Sequence, residues 1–242
     1  MKIAIISDIH SNIEALSAVL NEIENHNIRT IYCLGDIVGY GPNPRECIDT
    51  VKKTSQVILA GNHDFASVKK TELEYFNSYA REAIEKTRRL LKNSHRDFLS
   101  SLDYTLEDDT ATYVHATPEL PSMWDYILSS YDAVRNFTAF TTQVCFVGHS
   151  HIPVIFETSD NDSIAELHSQ QIELHEDYRY IINVGSVGQP RDQDARAAFG
   201  IYEADHHSYE QIRVEYDVAK TQKKMRKLKL PEFLITRIAE GQ

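Results

Sequence analysis

Lys2-Ile3-Ala4-Ile5-Ile6-Ser7-Asp8-Ile9-His10 opens the chain, and the rest is best read outward from it. The run from Ile3 to Ile6 is apolar without alternation, as expected of a strand buried on both faces. It stops at Ser7 and at once delivers a carboxylate, Asp8, and an imidazole, His10. The same order recurs along the sequence. The apolar run 30–34 is followed by Gly35-Asp36, and 56–60 by Gly61-Asn62-His63-Asp64. Run 111–114 is followed by His115, and 143–147 by Gly148-His149-Ser150-His151. Helical spacing of Ile13, Leu16, Val19, Leu20 and Ile23 fills the first gap. A shorter helix, 43–52, fills the second, with Pro44 suited to its first turn. The opening third therefore predicts β-α-β-α-β and a parallel sheet. The polar residues lie just past the strands' carboxyl ends, the edge at which open α/β sheets bind ligands.

Beyond residue 70 the pattern lengthens and then shortens. Phe76, Tyr79, Ala80, Ala83, Ile84, Thr87, Leu90 and Leu91 keep one face of a long helix, continued over 96–102. Short strands are then predicted at 104–107, 154–158, 164–168, 180–183, 199–203 and 211–216, with a helix around 131–140. The tail reads as helical over 218–229 and 231–240. No repeat, low-complexity segment or linker interrupts the chain, so one domain is expected over 1–242, with a helical tail from about 218 to 242.

Composition narrows the function classes. Of 242 residues, 42% are hydrophobic and 25% charged, the balance of a soluble globular protein. The 36 acidic against 25 basic side chains leave a formal charge of −11. Such a chain repels a phosphate backbone, so duplex nucleic acid is not an expected partner. The three cysteines, Cys33, Cys47 and Cys145, form no C-x-x-C pair, and two lie in apolar runs, where cysteine packs as a small hydrophobe. The N-terminal run is too short for a signal sequence, and nothing approaches a membrane-spanning length. A cytoplasmic location with no membrane partner is the expectation.

Asp, Asn and His make a mixed oxygen and imidazole set suited to borderline divalent ions such as Mn, Fe or Zn. Two ions about 3.5–4 Å apart would need a bridging carboxylate and open positions for water and substrate. The ordered blocks Asp8-x-His10, Gly35-Asp36-x-x-Gly39, Gly61-Asn62-His63-Asp64, His115 and Gly148-His149-x-His151 resemble those of the calcineurin-like metallophosphoesterases. The likeness covers about the first 215 residues. Gly185-Ser186-Val187-Gly188-Gln189-Pro190-Arg191 is similar to the closing turn of a small bacterial and archaeal branch.

That resemblance implies a four-layer α/β-β/α sandwich of two mixed β-sheets flanked by helices. It implies two divalent metal ions, Mn foremost, with Fe, Zn, Ni or Mg as alternatives. Asp8, His10, Asp36 and His151 would hold one ion. Asp36, Asn62, His115 and His149 would hold the other, with Asp36 bridging. A metal-bridged hydroxide would attack phosphorus in line, His63 would protonate the leaving group or donate to the phosphoryl oxygens, and Asp64 would orient His63 through its ring N–H.

Each block alone has a plainer explanation. An isolated Asp-x-His is a strand-end turn, and a lone histidine pair is as well a loop feature as a ligand pair. Five blocks in order favour the metal site. His26, His95, His168, His175, His206 and His207 fall in helix ends or polar turns and read as solvated. Arg191 and Arg45 lie in loops, where either could clamp a phosphate bidentately; a surface arginine is the competing reading. Trp124 either lines the cleft near His115 or packs beneath a loop, with packing preferred. Tyr75, Phe76 and Tyr79 either cap a nucleobase or pack the long helix, again with packing preferred.

The stretch Asp36-Ile37-Val38-Gly39-Tyr40-Gly41 lacks the arginine that protein Ser/Thr phosphatases and symmetric diadenosine tetraphosphate hydrolases carry after this aspartate. Asp64 stands where protein phosphatases have glutamate, and Ser11 where many relatives have glycine, a change expected to matter little. The expected substrate is a small phosphorylated molecule, a nucleotide among them, and the expected activity that of a phosphodiesterase or nucleotide-directed phosphatase. Those two enzyme classes and a metal-binding scaffold are the alternatives. Homo-oligomerisation is left open.

Overall fold

The computed structural model describes residues 1–160 and 163–242. Twelve strands in it form two six-stranded sheets. The first contains β1 (Lys2–Ile6), β2 (Thr30–Cys33), β3 (Val57–Ile58), β9 (Gln171–Glu173), β11 (Ala197–Glu203) and β12 (Ser208–Val214), in the order β3-β2-β1-β11-β12-β9. The second contains β4 (Thr105–Glu107), β5 (Thr112–Val114), β6 (Val144–Val147), β7 (Val154–Thr158), β8 (Ala165–Leu167) and β10 (Arg179–Asn183), in the order β4-β5-β6-β10-β7-β8. Both sheets are mixed. β1, β2 and β3 run parallel, as do β5, β6 and β10, and the outer strands pair antiparallel.

Strand alternation explains why the sheets face each other. Ile3 and Ile5 of β1 join Tyr113, Phe146, Tyr180, Ile182, Tyr202 and Tyr209 in an apolar layer between the sheets. Ala4 and Ile6 turn the other way, onto α1 (Ile13–Asn25) and α2 (Pro44–Thr54). On the second sheet Cys145 and Val147 pack against Ala133 and Phe137 of α6 (Ser130–Phe137). The result is the expected sequence of layers, helix, sheet, sheet, helix. A strand inside such a stack has no solvent face, which is why its sequence does not alternate.

Local signals set the helix starts. Asn12 caps α1, its side chain accepting from the Ala15 N–H at 3.2 Å. Pro44 occupies the first turn of α2. The segment Asn62–Ser67, which carries the polar block after β3, is a short helix, α3. The Asp64 carboxylate accepts the Gly61 N–H at 3.0 Å, satisfying one of its free N-terminal donors. The long helix resolves into α4 (Ser78–Leu90) and α5 (Asn93–Ser100).

The tail forms α7 (Val218–Lys227) and α8 (Glu232–Arg237). Met225, Leu230, Leu234, Ile235 and Ile238 bury themselves with Tyr40, Phe76, Ala80 and Ile84. Lys224 binds Glu14 at 2.6 Å, tying α7 to α1. The strand β9 was not legible: its residues are polar, and it forms only by pairing with β12 at a sheet edge. His95 is a further departure, buried instead of solvated, with Nε2 3.3 Å from Asp49 Oδ1. No helix among the described residues is long and apolar enough to cross a membrane.

Candidate metal centre and active site

The loops leaving β1, β2, β5 and β6 and the start of α3 converge at one end of the two sheets. They bring Asp8, His10, Asp36, His63, His115, His149 and His151 into one buried cluster. Three sets of potential ligand atoms lie within 4.8 Å of one another: Asp8, His10 and His151; His10, Asp36 and His63; Asp36, His115 and His149. Asp36 Oδ2 lies 3.6 Å from His10 Nε2 and 3.5 Å from His115 Nε2, so it faces both outer sets. Asp8 Oδ1 is 3.2 Å from His151 Nε2, and the His10 and His151 Nε2 atoms are 3.1 Å apart.

The backbone around these ligands is unusual. Asp8, His10, Ser11, Asp36, His149 and His151 all have φ between 48° and 65°, left-handed values that non-glycine residues adopt at a cost. The turns are held by neighbours. His10 N donates to the Asp36 carbonyl at 2.9 Å and Ser11 N to that of Ile37 at 2.9 Å. The serine at position 11 is therefore not neutral, since it takes a conformation that glycine adopts freely.

Several polar atoms point inward without a partner. Asn62 Oδ1 and both ring nitrogens of His115 are buried and make no hydrogen bond, and Asp8 Oδ1 has only its close contact with His151 Nε2. Buried polar groups are ordinarily satisfied, so such a concentration marks atoms disposed toward a ligand. The opposite edges of three rings are fixed. His10 Nδ1 lies 3.1 Å from the Val38 carbonyl, His151 Nδ1 2.6 Å from that of Gln189, and His149 Nε2 2.9 Å from that of Trp124. Donation to a carbonyl sets the tautomer and leaves the other nitrogen free to coordinate. Asp8 Oδ2 accepts the His149 N–H at 2.9 Å, which leaves Oδ1 for the cluster. The donor set thus fits borderline divalent cations.

Charge within the cluster is mutually adjusted. Burial opposes ionisation of Asp8, but His151 and His115 outweigh it and hold the carboxyl well below its usual range. Asp36 behaves likewise beside His115 and His63. Burial also opposes charge on His115, yet Asp36 and Asp8 lift it to about 9. His63 is pushed down to about 4 and His149 to about 3, chiefly by burial.

Two sequence-based roles need correction. Asp64 does not orient the His63 ring. Its carboxylate accepts the Val38 N–H at 3.1 Å and the Gly61 N–H at 3.0 Å, tying together the two loops that carry Asp36 and His63. As the third residue of α3 it turns back on the backbone N–H groups at the helix start. Burial pushes this carboxyl up to about 7. Arg45 is not at the cluster either; its Nε donates to the Leu90 carbonyl at the end of α4. Arg191 is brought in, with Nη2 3.4 Å from the Tyr40 hydroxyl and 3.2 Å from Gln189 Oε1, and a buried, unbonded Nε.

Trp124 takes the less favoured of its two sequence readings and lines the cleft beside the cluster, joined there by Tyr40 and Tyr126, which the sequence reading does not mark. Tyr126 stacks on His149 with ring centroids 4.1 Å apart, and Tyr40 lies 4.5 Å from His63. The density of aromatic residues in 124–126, soon after His115, was the available signal. Tyr75 and Phe76 also line this cleft, whereas Tyr79 stacks on Phe233 of α8 at 4.7 Å.

Comparison with known proteins identifies the family. Residues 1–207 match the calcineurin-like phosphoesterase superfamily domain, and the chain belongs to that family. It is therefore a metallophosphoesterase, a hydrolase acting on phosphoric ester bonds. It is 44% identical to the uncharacterized protein MJ0912 of Methanocaldococcus jannaschii, over 99% of this chain and 98% of that one. A metallophosphoesterase from Sphaerobacter thermophilus is 42% identical and superposes with a TM-score of 0.90, covering 100% of this chain and 99% of its own. The hypothetical protein PH1004 of Pyrococcus horikoshii, at 22% identity and a TM-score of 0.79 over 100% of this chain and 98% of its own, shares the fold.

Proposed function

We propose that residues 1–242 act as one unit that hydrolyses small phosphodiesters or nucleotide phosphates at a two-ion centre. The observation that carries this reading is Asp36 Oδ2, placed 3.6 and 3.5 Å from histidines of two separate ligand sets. Asp8, His10 and His151 would hold one divalent cation, Asn62, His115 and His149 the other, with Asp36 shared. Mn²⁺ suits the mixed carboxylate, amide and imidazole donors. When bound, such ions polarise phosphoryl oxygens and make water acidic enough to attack phosphorus.

The chain's own groups supply the rest. Asp36 Oδ1 accepts the His63 N–H at 2.8 Å, so the backbone of α3 moves with the shared carboxylate. His63, wedged between His10 at 4.8 Å and Phe76 at 5.0 Å, has a fixed ring direction. As the neutral ring it would donate a hydrogen bond to a phosphoryl oxygen; it would give a proton to the leaving oxygen only once the negative charge of a bound phosphate favours its protonated form. Arg191, over the Tyr40 ring at 5.8 Å, offers a guanidinium to a non-bridging oxygen. The complete set of ligand side chains argues against a scaffold that has lost its chemistry.

The test is hydrolysis by metal-stripped protein resupplied with Mn²⁺, comparing bis-p-nitrophenyl phosphate with p-nitrophenyl phosphate. Asp36→Asn should lose metal from both positions. His63→Ala should keep its metal and lose roughly 10²–10⁴-fold in turnover. Faster cleavage of the monoester than of every diester and nucleotide tried would overturn the substrate reading, and metal loss in His63→Ala would overturn the role of His63.

A further inference from the structure

The cleft that begins at Asn62, His63 and His149 has a volume of about 480 Å³, within the usual range of small-molecule sites. Its walls are aromatic. Tyr75, Phe76, Tyr104, Trp124 and Tyr126 all line the cleft. Tyr75 is 85% exposed, Tyr126 46% and Tyr104 37%. Large rings left in solvent around one concavity mark a binding surface, since each would be more stable covered.

Tyr104, Trp124 and Tyr126 contribute to none of the four core clusters. They pack instead on one another and on the metal site. Trp124 lies 5.5 Å from Tyr104 and 6.0 Å from Phe65, and Tyr126 stacks on His149. Trp124 itself is left-handed, with φ at 59°, and its carbonyl meets His149 Nε2. One loop therefore holds both the aromatic wall and a candidate metal ligand.

Charge limits what enters. The one lysine among the described lining residues, Lys70, is engaged by the Ser100 carbonyl at 2.6 Å and lies over the Phe65 ring at 4.7 Å. Glu72 and Asp125 line the same cleft. Among the described lining residues, a chain of further phosphates would meet two carboxylates and no lysine or arginine left free. A flat ring would meet π-faces, with Asn77 and Ser122 available to its polar edge.

We propose that this cleft seats the base of a nucleoside whose single phosphate lies at the Asp/His cluster. The inference rests on the phosphoesterase reading above and adds the group that the enzyme selects. Stacking on aromatic side chains discriminates by roughly 5- to 150-fold per base.

Adenosine 5′-monophosphate and ribose 5-phosphate differ only in the base, and Trp124 is the sole tryptophan. Each would be titrated into the metal-loaded protein by tryptophan fluorescence and as an inhibitor of bis-p-nitrophenyl phosphate hydrolysis. The nucleotide should bind at least about ten-fold more tightly and alone perturb Trp124 emission. Tyr75→Ala and Tyr104→Leu should each shrink that preference, Tyr75→Ala at a position too exposed to threaten folding. Equal affinities with unchanged emission, or a preference untouched by both substitutions, would overturn the base seat. Diester turnover without base preference would remove the seat and leave the reaction; base preference without any turnover would remove the reaction and leave the seat.

Discussion

Gly61→Ala should disable the enzyme through a single methyl group. A Cβ at Gly61 would lie 2.0 Å from Asp36 Oδ1, 2.6 Å from its Cγ and 2.4 Å from its backbone nitrogen, where ordinary contact begins near 3.4 Å. None of these atoms is the end of a flexible chain. The carboxylate is pinned by the His63 N–H and faces His10 and His115. Relief requires Asp36 or the Gly61 turn to move by about 1 Å, and a misplacement of that size costs on the order of 10²-fold in rate. Overpacking of this kind also destabilises by about 1–3 kcal/mol. Metal content, turnover at saturating Mn²⁺ and thermal unfolding would be measured together. Gly200→Ala is the control, because its Cβ would meet the Tyr209 ring at 2.5 Å in the layer between the sheets. It should lower stability while leaving metal stoichiometry intact. Gly61→Ala with full metal and turnover within three-fold of the parent, on the order of noise for such a displacement, would refute the reasoning.

Asp64→Asn keeps shape but cannot accept both N–H groups that Asp64 now accepts, from Val38 and Gly61. A loss of about 1–3 kcal/mol in chemical denaturation is expected, and unchanged stability would disprove the tether. Ser11→Gly relieves a left-handed serine whose hydroxyl is buried and unbonded, and should raise stability by about 1 kcal/mol, some 2–4 °C in Tm; a lower Tm would count against strain there. The metal-free protein should be most stable near pH 6.5. Between pH 6.5 and about 4 the unfolded chain protonates His63 and His149, which the fold keeps neutral, so stability falls with acid even though Asp64, raised to about 7, opposes with one proton. Above 6.5 the fold retains a proton on His115 up to about 9, and stability declines again. A stability that climbs steadily to pH 9 in the presence of chelator would contradict this account.

Much of the molecule could be read before it was seen folded. A short β-branched apolar run without alternation fits a strand covered on both faces, and a polar block after each such run then lies at a carboxyl edge. That logic located β1, β2, β5 and β6 and brought Asp8, His10, Asp36, His115, His149 and His151 together. Arg45 and Arg191 looked alike in sequence, since a loop arginine's reach depends on where its loop ends up; one caps α4 and the other meets Tyr40. Asp64 was misread because its partners are backbone N–H groups of a helix start and a neighbouring loop, which no residue type announces. The aromatic cleft was half legible: Tyr75, Phe76 and Trp124 were candidates with packing preferred, and only folding sets them in one cleft with Tyr104 and Tyr126. Sequence alone determined the periodic and the local: which apolar runs are the central strands, and which polar residues of metal-binding type follow them. Tertiary structure decided direction, because a side chain's partner is chosen by the chain segments packed around it, and those meet only when the two sheets close.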